Sequence, residues 1–163
     1  MKSTKKRVKS EIINTVKIEF ISRSNNESFA RTAVSAFAAQ LDPTVEELSD
    51  LKTAISEAVT NSIVHGYRED LGKITITGKI YDNRRIELTV KDKGCGIDDV
   101  KKAMEPMYTT DSSGERSGVG FMIMEMLCDK IAVKSSVGKG TTVVLHKKIN
   151  SRKEKSKGDN KLE

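Results

Sequence analysis

"SEAVTNSIVHG", residues 56–66, is the stretch on which the fold turns. Ala58, Val59 and Ser62 continue a core-facing stripe that begins at Leu48, Leu51 and Ile55. At 100° per residue these positions lie within about 60° of one direction, the mark of an amphipathic helix. Glu57, Asn61 and His65 recur every fourth residue along a different arc. Solubility alone is served by Lys, Glu and Arg on such a face. An acid, an amide and an imidazole in register point to chemistry instead.

Working outward, this helix starts at Thr44, which with Glu47 writes a capping box. Asp42-Pro43 stops an earlier helix opened by Asn25-Asn-Glu-Ser28, with an expected apolar stripe of Phe29, Ala33, Ala36, Phe37 and Leu41. Before it, Thr15–Ile21 alternates apolar and polar, which predicts a half-buried strand. Downstream, Lys73–Ile80 and Arg85–Lys91 alternate across Asp82-Asn83 and predict a hairpin. Residues 104–117 show little periodicity and predict a loop, after which Gly118-Val-Gly120 opens a helix to about Cys128. Strands near 130–136 and 141–147 close the chain through a turn at Val137–Gly140. Strands in runs, with helices grouped between them, predict an α+β two-layer sandwich.

The 163 residues suffice for one domain with a core: residues 15–148, between a basic extension at 1–14 and a basic tail at 149–163 that ends in a vector-like Leu162-Glu163. The most apolar stretch, Val119–Leu127, contains Glu125 and is far too short to span a bilayer. No apolar region follows the basic residues Lys2 to Lys9, so export is not expected. Cys95 and Cys128 lack metal-ligand spacing and suit a reduced cytoplasm. The net charge of +6 belongs to the ends. Residues 1–10 carry five basic and no acidic side chains, and residues 147–163 seven basic against three acidic, which leaves residues 11–146 at −3. With aromatics at 4%, that placement argues against direct nucleic-acid binding.

Three segments carry chemistry: the Glu57/Asn61/His65 stripe, Asp92-x-Gly94-x-Gly96 after a strand, and Gly114-Glu-Arg-Ser-Gly118-Val-Gly120 before a helix. A carboxylate at Asp92 suits an exocyclic amine such as adenine N6, and glycines let a ring press on bare backbone. Free N–H groups at a helix start attract phosphate. The Asn61 amide oxygen is a hard ligand of the kind Mg²⁺ takes alongside phosphates and waters. Glu57, one turn away, can accept a proton from an attacking hydroxyl. His65 reads first as a structural histidine, Cys95 as a small residue in a turn, and Cys128 and most methionines as core.

These segments resemble the N, G1 and G2 boxes of the GHKL ATP-binding superfamily. More narrowly, "NESFAR", "QLDP", "SEAVTNSIVHGY", "ERSGVGF" and "IME" resemble the anti-sigma F factor family of spore-forming Firmicutes, across about residues 16–147. The resemblance implies a Bergerat fold with a mixed, mostly antiparallel sheet and helices on one face. It implies an anti-sigma factor that holds sporulation sigma factor F inactive when ATP-bound. It also implies a kinase that, with Mg²⁺ and ATP, phosphorylates a serine of an anti-anti-sigma factor and leaves ADP, acting as a cytoplasmic homodimer paired through sheet surfaces. By position, Glu57 corresponds to the general base, Asn61 to the Mg²⁺ ligand, and Asp92 with Gly94 and Gly96 to the adenine site. Residues 103–117, with Thr109 and Ser117, correspond to the ATP lid, and Arg116 would meet the γ-phosphate. Gly118, Val119 and Gly120 correspond to the phosphate turn, Thr141 to a steadying contact for Asp92, and Arg31 to a partner-facing arginine. Met122 stands where many superfamily members have a further glycine.

Two alternatives remain at the level of sequence. A sensor-histidine-kinase catalytic domain is disfavoured because no dimerisation helix with a phosphoacceptor histidine precedes the ATP boxes. An ATP-gated binding module with little turnover would not need Glu57. No Walker A, HRD or DFG string is present.

Overall fold

The computed structural model describes residues 10–105 and 119–150. In chain order the elements are β1 (Ile12–Ile21), α1 (Asn26–Ala38), α2 (Val45–Asn61), β2 (Lys73–Tyr81), β3 (Arg85–Lys91), α3 (Val100–Ala103), α4 (Gly120–Leu127), β4 (Lys130–Ser136) and β5 (Gly140–Lys148). The strands form one sheet in the order β1-β2-β3-β5-β4, and every pairing is antiparallel, where a mixed sheet had been expected. Alternation along β2 and β3 buries Ile74, Ile76 and Ile80 with Ile86, Leu88 and Val90. The helices cover that side, and α2 lies at the centre, touching α1, α4, β3 and β5.

The α2 stripe packs as its periodicity predicts: Leu51, Ile55, Ala58, Val59 and Ser62 are buried, Ala54 joins them, and Leu48 is half-buried. Each large aliphatic side chain so placed contributes about 1.5–3 kcal/mol relative to exposure. The capping box is formed, with Glu47 N–H donating to Thr44 Oγ1 at 3.2 Å and Thr44 N–H to Glu47 Oε2 at 2.9 Å.

In α1 the buried face is Ala30, Val34, Phe37 and Ala38, continued by Leu41, so the expected stripe is corrected at three positions. Phe29 is half-exposed, edge-on to Phe20, while Ala33 is only half-buried and Ala36 is exposed. Two alanines with little area of their own let α1 approach closely, whereas Phe29 dominates any reading weighted by side-chain size. β1 starts at Ile12, paired to Tyr81, although its first residues are exposed: backbone pairing, not burial, holds it there. At the other end Ile149 is buried and Asn150 N–H donates to Glu47 Oε1 at 3.0 Å, so the packed chain runs past both expected boundaries, 15 and 148. The four-residue helix α3, capped by Asp99, is too short to show periodicity. The expected loop lies outside the described residues from 106 to 117.

Candidate nucleotide site

Where α2 ends, the chain widens into a π-helical turn at Ser62–Tyr67, with Arg68 N–H donating to Ile63 C=O at 3.0 Å. Such turns are rare and gather at functional sites. This one presses Gly66 against the turn that follows β3. A Cβ on Gly94 would lie 2.2 Å from the Gly66 carbonyl oxygen, and one on Gly140 would lie 2.3 Å from the Asp92 carbonyl oxygen. These two glycines are required by close approach of backbone to backbone. Gly96 has φ 76° and meets the Ser136 carbonyl.

Asp92 sits at the floor of this arrangement and is 3% exposed. Its Oδ1 accepts from Gly94 N–H at 2.9 Å and from Thr141 N–H at 3.1 Å, and its Oδ2 accepts from the Ser62 hydroxyl at 2.8 Å. A carboxylate offers about four acceptor positions. Three are taken, and the fourth, on Oδ2, accepts from no other group among the described residues. Thr141 therefore steadies Asp92 through its backbone; its own hydroxyl bonds Ser135 Oγ at 2.8 Å.

At the other end, Gly120 brings the start of α4 onto the α2 stripe. A Cβ there would lie 3.0 Å from Glu57 Oε2 and 3.3 Å from both amide atoms of Asn61. Burial, and secondarily the charge of Glu27, hold the Glu57 carboxyl above its usual range. Glu27 Oε1 is buried and accepts no hydrogen bond among the described residues; the nearest cation is Arg31 Nε at 3.8 Å.

Between these ends lies a cavity of about 530 Å³, within the range of small-molecule sites. Asn61, Ser62, His65, Gly66, Asp92, Gly96, Gly120 and Thr141 line it, with Ala58, Ile97, Phe121 and Val143 as apolar wall. Separate sequence segments thus converge on one space. Glu57 stands at its rim beside Asn61, Gly94 shapes it from behind, and Val119 precedes the α4 turn. Thr109, Arg116, Ser117 and Gly118 lie outside the described residues. Arg31 does not enter the cavity; it borders a polar groove with Thr32, Ser49, Lys52, Thr53 and Ser56 on α1 and α2. Among the described residues no group of three His, Cys, Asp or Glu could hold a metal ion, and no helix is long and apolar enough to cross a membrane.

Sequence reasoning missed Ser62, Gly66, Ser135 and the cations Arg68 and Lys102 as parts of the site. Ser62 was legible only as a core position, and nothing in its neighbours signals a bond to a residue thirty positions away. Cys95 lines the cavity with its thiol turned to the His65 carbonyl at 3.0 Å. Cys128 is core, and burial raises its thiol to about 11.

Residues 22–147 match the histidine kinase-like ATPase domain family. The chain is 52% identical to an anti-sigma F factor of Thermoanaerobacter sp. (strain X514) over 88% of its own length and 99% of that protein. It is 53% identical to one from Clostridium beijerinckii over 84% of its length and 96% of that protein. Among solved structures, a Mycobacterium tuberculosis protein with RsbU and RsbW domains superposes with a TM-score of 0.59 at 18% identity, covering 83% of this chain and 32% of that one. Full-length ShkA in complex with AMPPNP gives 0.54 at 16% identity, over 78% and 30%. These two likenesses speak to the fold alone. The match along nearly the whole chain places the protein in the anti-sigma F factor family of histidine kinase-like ATPase domains.

Proposed function

We propose that the chain inhibits sporulation sigma factor F in its ATP-bound form and transfers the γ-phosphate of ATP to a serine of an anti-anti-sigma factor, retaining ADP. The observation that carries this reading is the convergence of Asp92, Asn61 and Gly120 on one cavity with Glu57 at its rim. Adenine N6 would donate to the unused acceptor position on Asp92 Oδ2, and Gly94, Gly96 and Gly140 leave backbone bare around the ring. The donor set fits Mg²⁺: one hard amide oxygen, from Asn61, with phosphates and waters completing the shell. When bound, the ion supplies neutralisation of charge on the triphosphate oxygens. The chain's own residues do the rest. Gly120 keeps the helix start open to phosphate and Glu57 accepts the serine proton; by family correspondence Arg116 would take up charge on the transferring group, and Thr109, Ser117, Gly118 and Val119 would be further nucleotide-binding residues. The raised pKa of Glu57 suits a base, since it makes the carboxylate a stronger proton acceptor.

Arg31 would meet both protein partners. It borders the α1–α2 groove at Ser56, next in chain to Glu57, so a partner seated there lies beside the base. The open sheet face, with Lys17, Thr77, Thr89, Val144 and Ala132 in one cross-strand row, would pair two copies into a homodimer. The chain would act in the cytoplasm. The test is incubation with γ-labelled ATP and the candidate anti-anti-sigma protein, with and without Mg²⁺. Label should reach a serine with the wild type and not with Glu57→Ala, while ATP affinity changes less than about threefold. Equal loss of binding and transfer in Glu57→Ala removes Glu57 from the role of base.

A further inference from the structure

Arg68 ends the cavity wall that Asn61 and His65 begin, and it stands where a glycine is the expected residue. Its backbone has φ 58° and ψ −115°. It is the first central residue of a turn closed by Asp70 N–H donating to Tyr67 C=O at 3.0 Å. These angles are those of a type II′ turn, whose first central position favours glycine because a Cβ is strained there. Arg84 is also an arginine at positive φ, but its guanidinium donates to the carbonyls of Leu41, Ile149 and Asn150. The Arg68 side chain is exposed and makes no hydrogen bond or ion pair among the described residues. Strain held by a side chain with no structural partner among the described residues is a mark of functional use.

The few cations among the described residues of the cavity wall bear on what that use is. Its described lining carries three carboxylates, on Asp92, Asp98 and Asp99, against two cationic side chains, on Arg68 and Lys102. A polyanion entering such a space draws on every cation at its wall. Resting on the nucleotide reading above, we infer that the Arg68 guanidinium binds the phosphates of the bound nucleotide, and that the strained turn is kept because it aims this side chain at the cavity.

The test is calorimetric titration of the full chain and of Arg68→Gly and Arg68→Lys with Mg-ATP, Mg-ADP and adenosine, each at low and high salt. In Arg68→Gly, ATP affinity should fall about 3- to 10-fold at low salt, ADP less and adenosine not at all, and the loss should shrink as salt rises. Arg68→Lys should recover most of the ATP affinity. The melting temperature of Arg68→Gly without nucleotide should rise by about 2–4 °C, since glycine fits the turn. Unchanged ATP affinity in Arg68→Gly, an equal loss for adenosine, or a lowered melting temperature overturns the inference and leaves the nucleotide site standing. A wild-type chain that binds no nucleotide overturns both.

Discussion

Asp92→Asn separates the fold from the recognition of the base. In the wild type, Oδ1 accepts two backbone N–H groups and Oδ2 accepts the Ser62 hydroxyl. An asparagine can keep its oxygen at the Oδ1 position and place its NH₂ at Oδ2, where the Ser62 hydroxyl can rotate to accept. The three contacts survive but lose their charge assistance, a cost of about 1–2 kcal/mol in stability, or roughly 3–8 °C in melting temperature. The consequence for a ligand is larger. The one free position on that side chain changes from acceptor to donor, so adenine N6 loses a bond to a charged group worth about 1.5–3 kcal/mol and faces an N–H instead. ATP affinity should fall at least about 10- to 150-fold, while inosine triphosphate, whose C6 carbonyl accepts, should bind the variant better than the wild type. Calorimetry with both nucleotides on a sample shown to be folded reads this directly. ATP affinity preserved in Asp92→Asn, or ATP and inosine triphosphate weakened alike, would refute the placement of the amine on Asp92.

Four further outcomes are expected. Glu57 must be ionised to act, and its carboxyl lies above the ordinary range, so transfer should fall as pH drops through a value higher than that of a free glutamate. Glu27→Gln removes the second cause of that shift and should move the acid limb of the pH–rate profile down, burial remaining; an unmoved limb or an upward shift contradicts the coupling. Arg31→Ala should weaken complexes with sigma factor and anti-anti-sigma factor in pull-down titrations while ATP affinity stays within about twofold, and a loss confined to ATP would place Arg31 wrongly. Gly94→Ala forces a Cβ to 2.2 Å from the Gly66 carbonyl oxygen, which should cost about 2–4 kcal/mol in thermal unfolding and abolish nucleotide binding; an unchanged melting temperature would show that the approach is looser.

Capping, alternation and helical spacing are local physics, and they were legible. Thr44 and Glu47 meet because they are three residues apart at a helix start. Asn61 and Glu57 share a side of α2 because a helix turns 100° per residue. The stripe of α1 was misjudged because large side chains dominate a sequence pattern, while the close contact is made by Ala30 and Ala38.

What the chain's order of residues determined alone was the five strands and the long helices, the polar stripe on α2, the glycine turns and their family likeness, since each rests on interactions within a few positions. Tertiary packing decided the rest: that the Ser62 hydroxyl and the Thr141 amide hold Asp92, that Gly120 seats α4 on Glu57 and Asn61, and that Arg68 lines the cavity. Those contacts join residues far apart in sequence, and their geometry exists only once the sheet order β1-β2-β3-β5-β4 brings the ends of α2, β3 and β5 to one place.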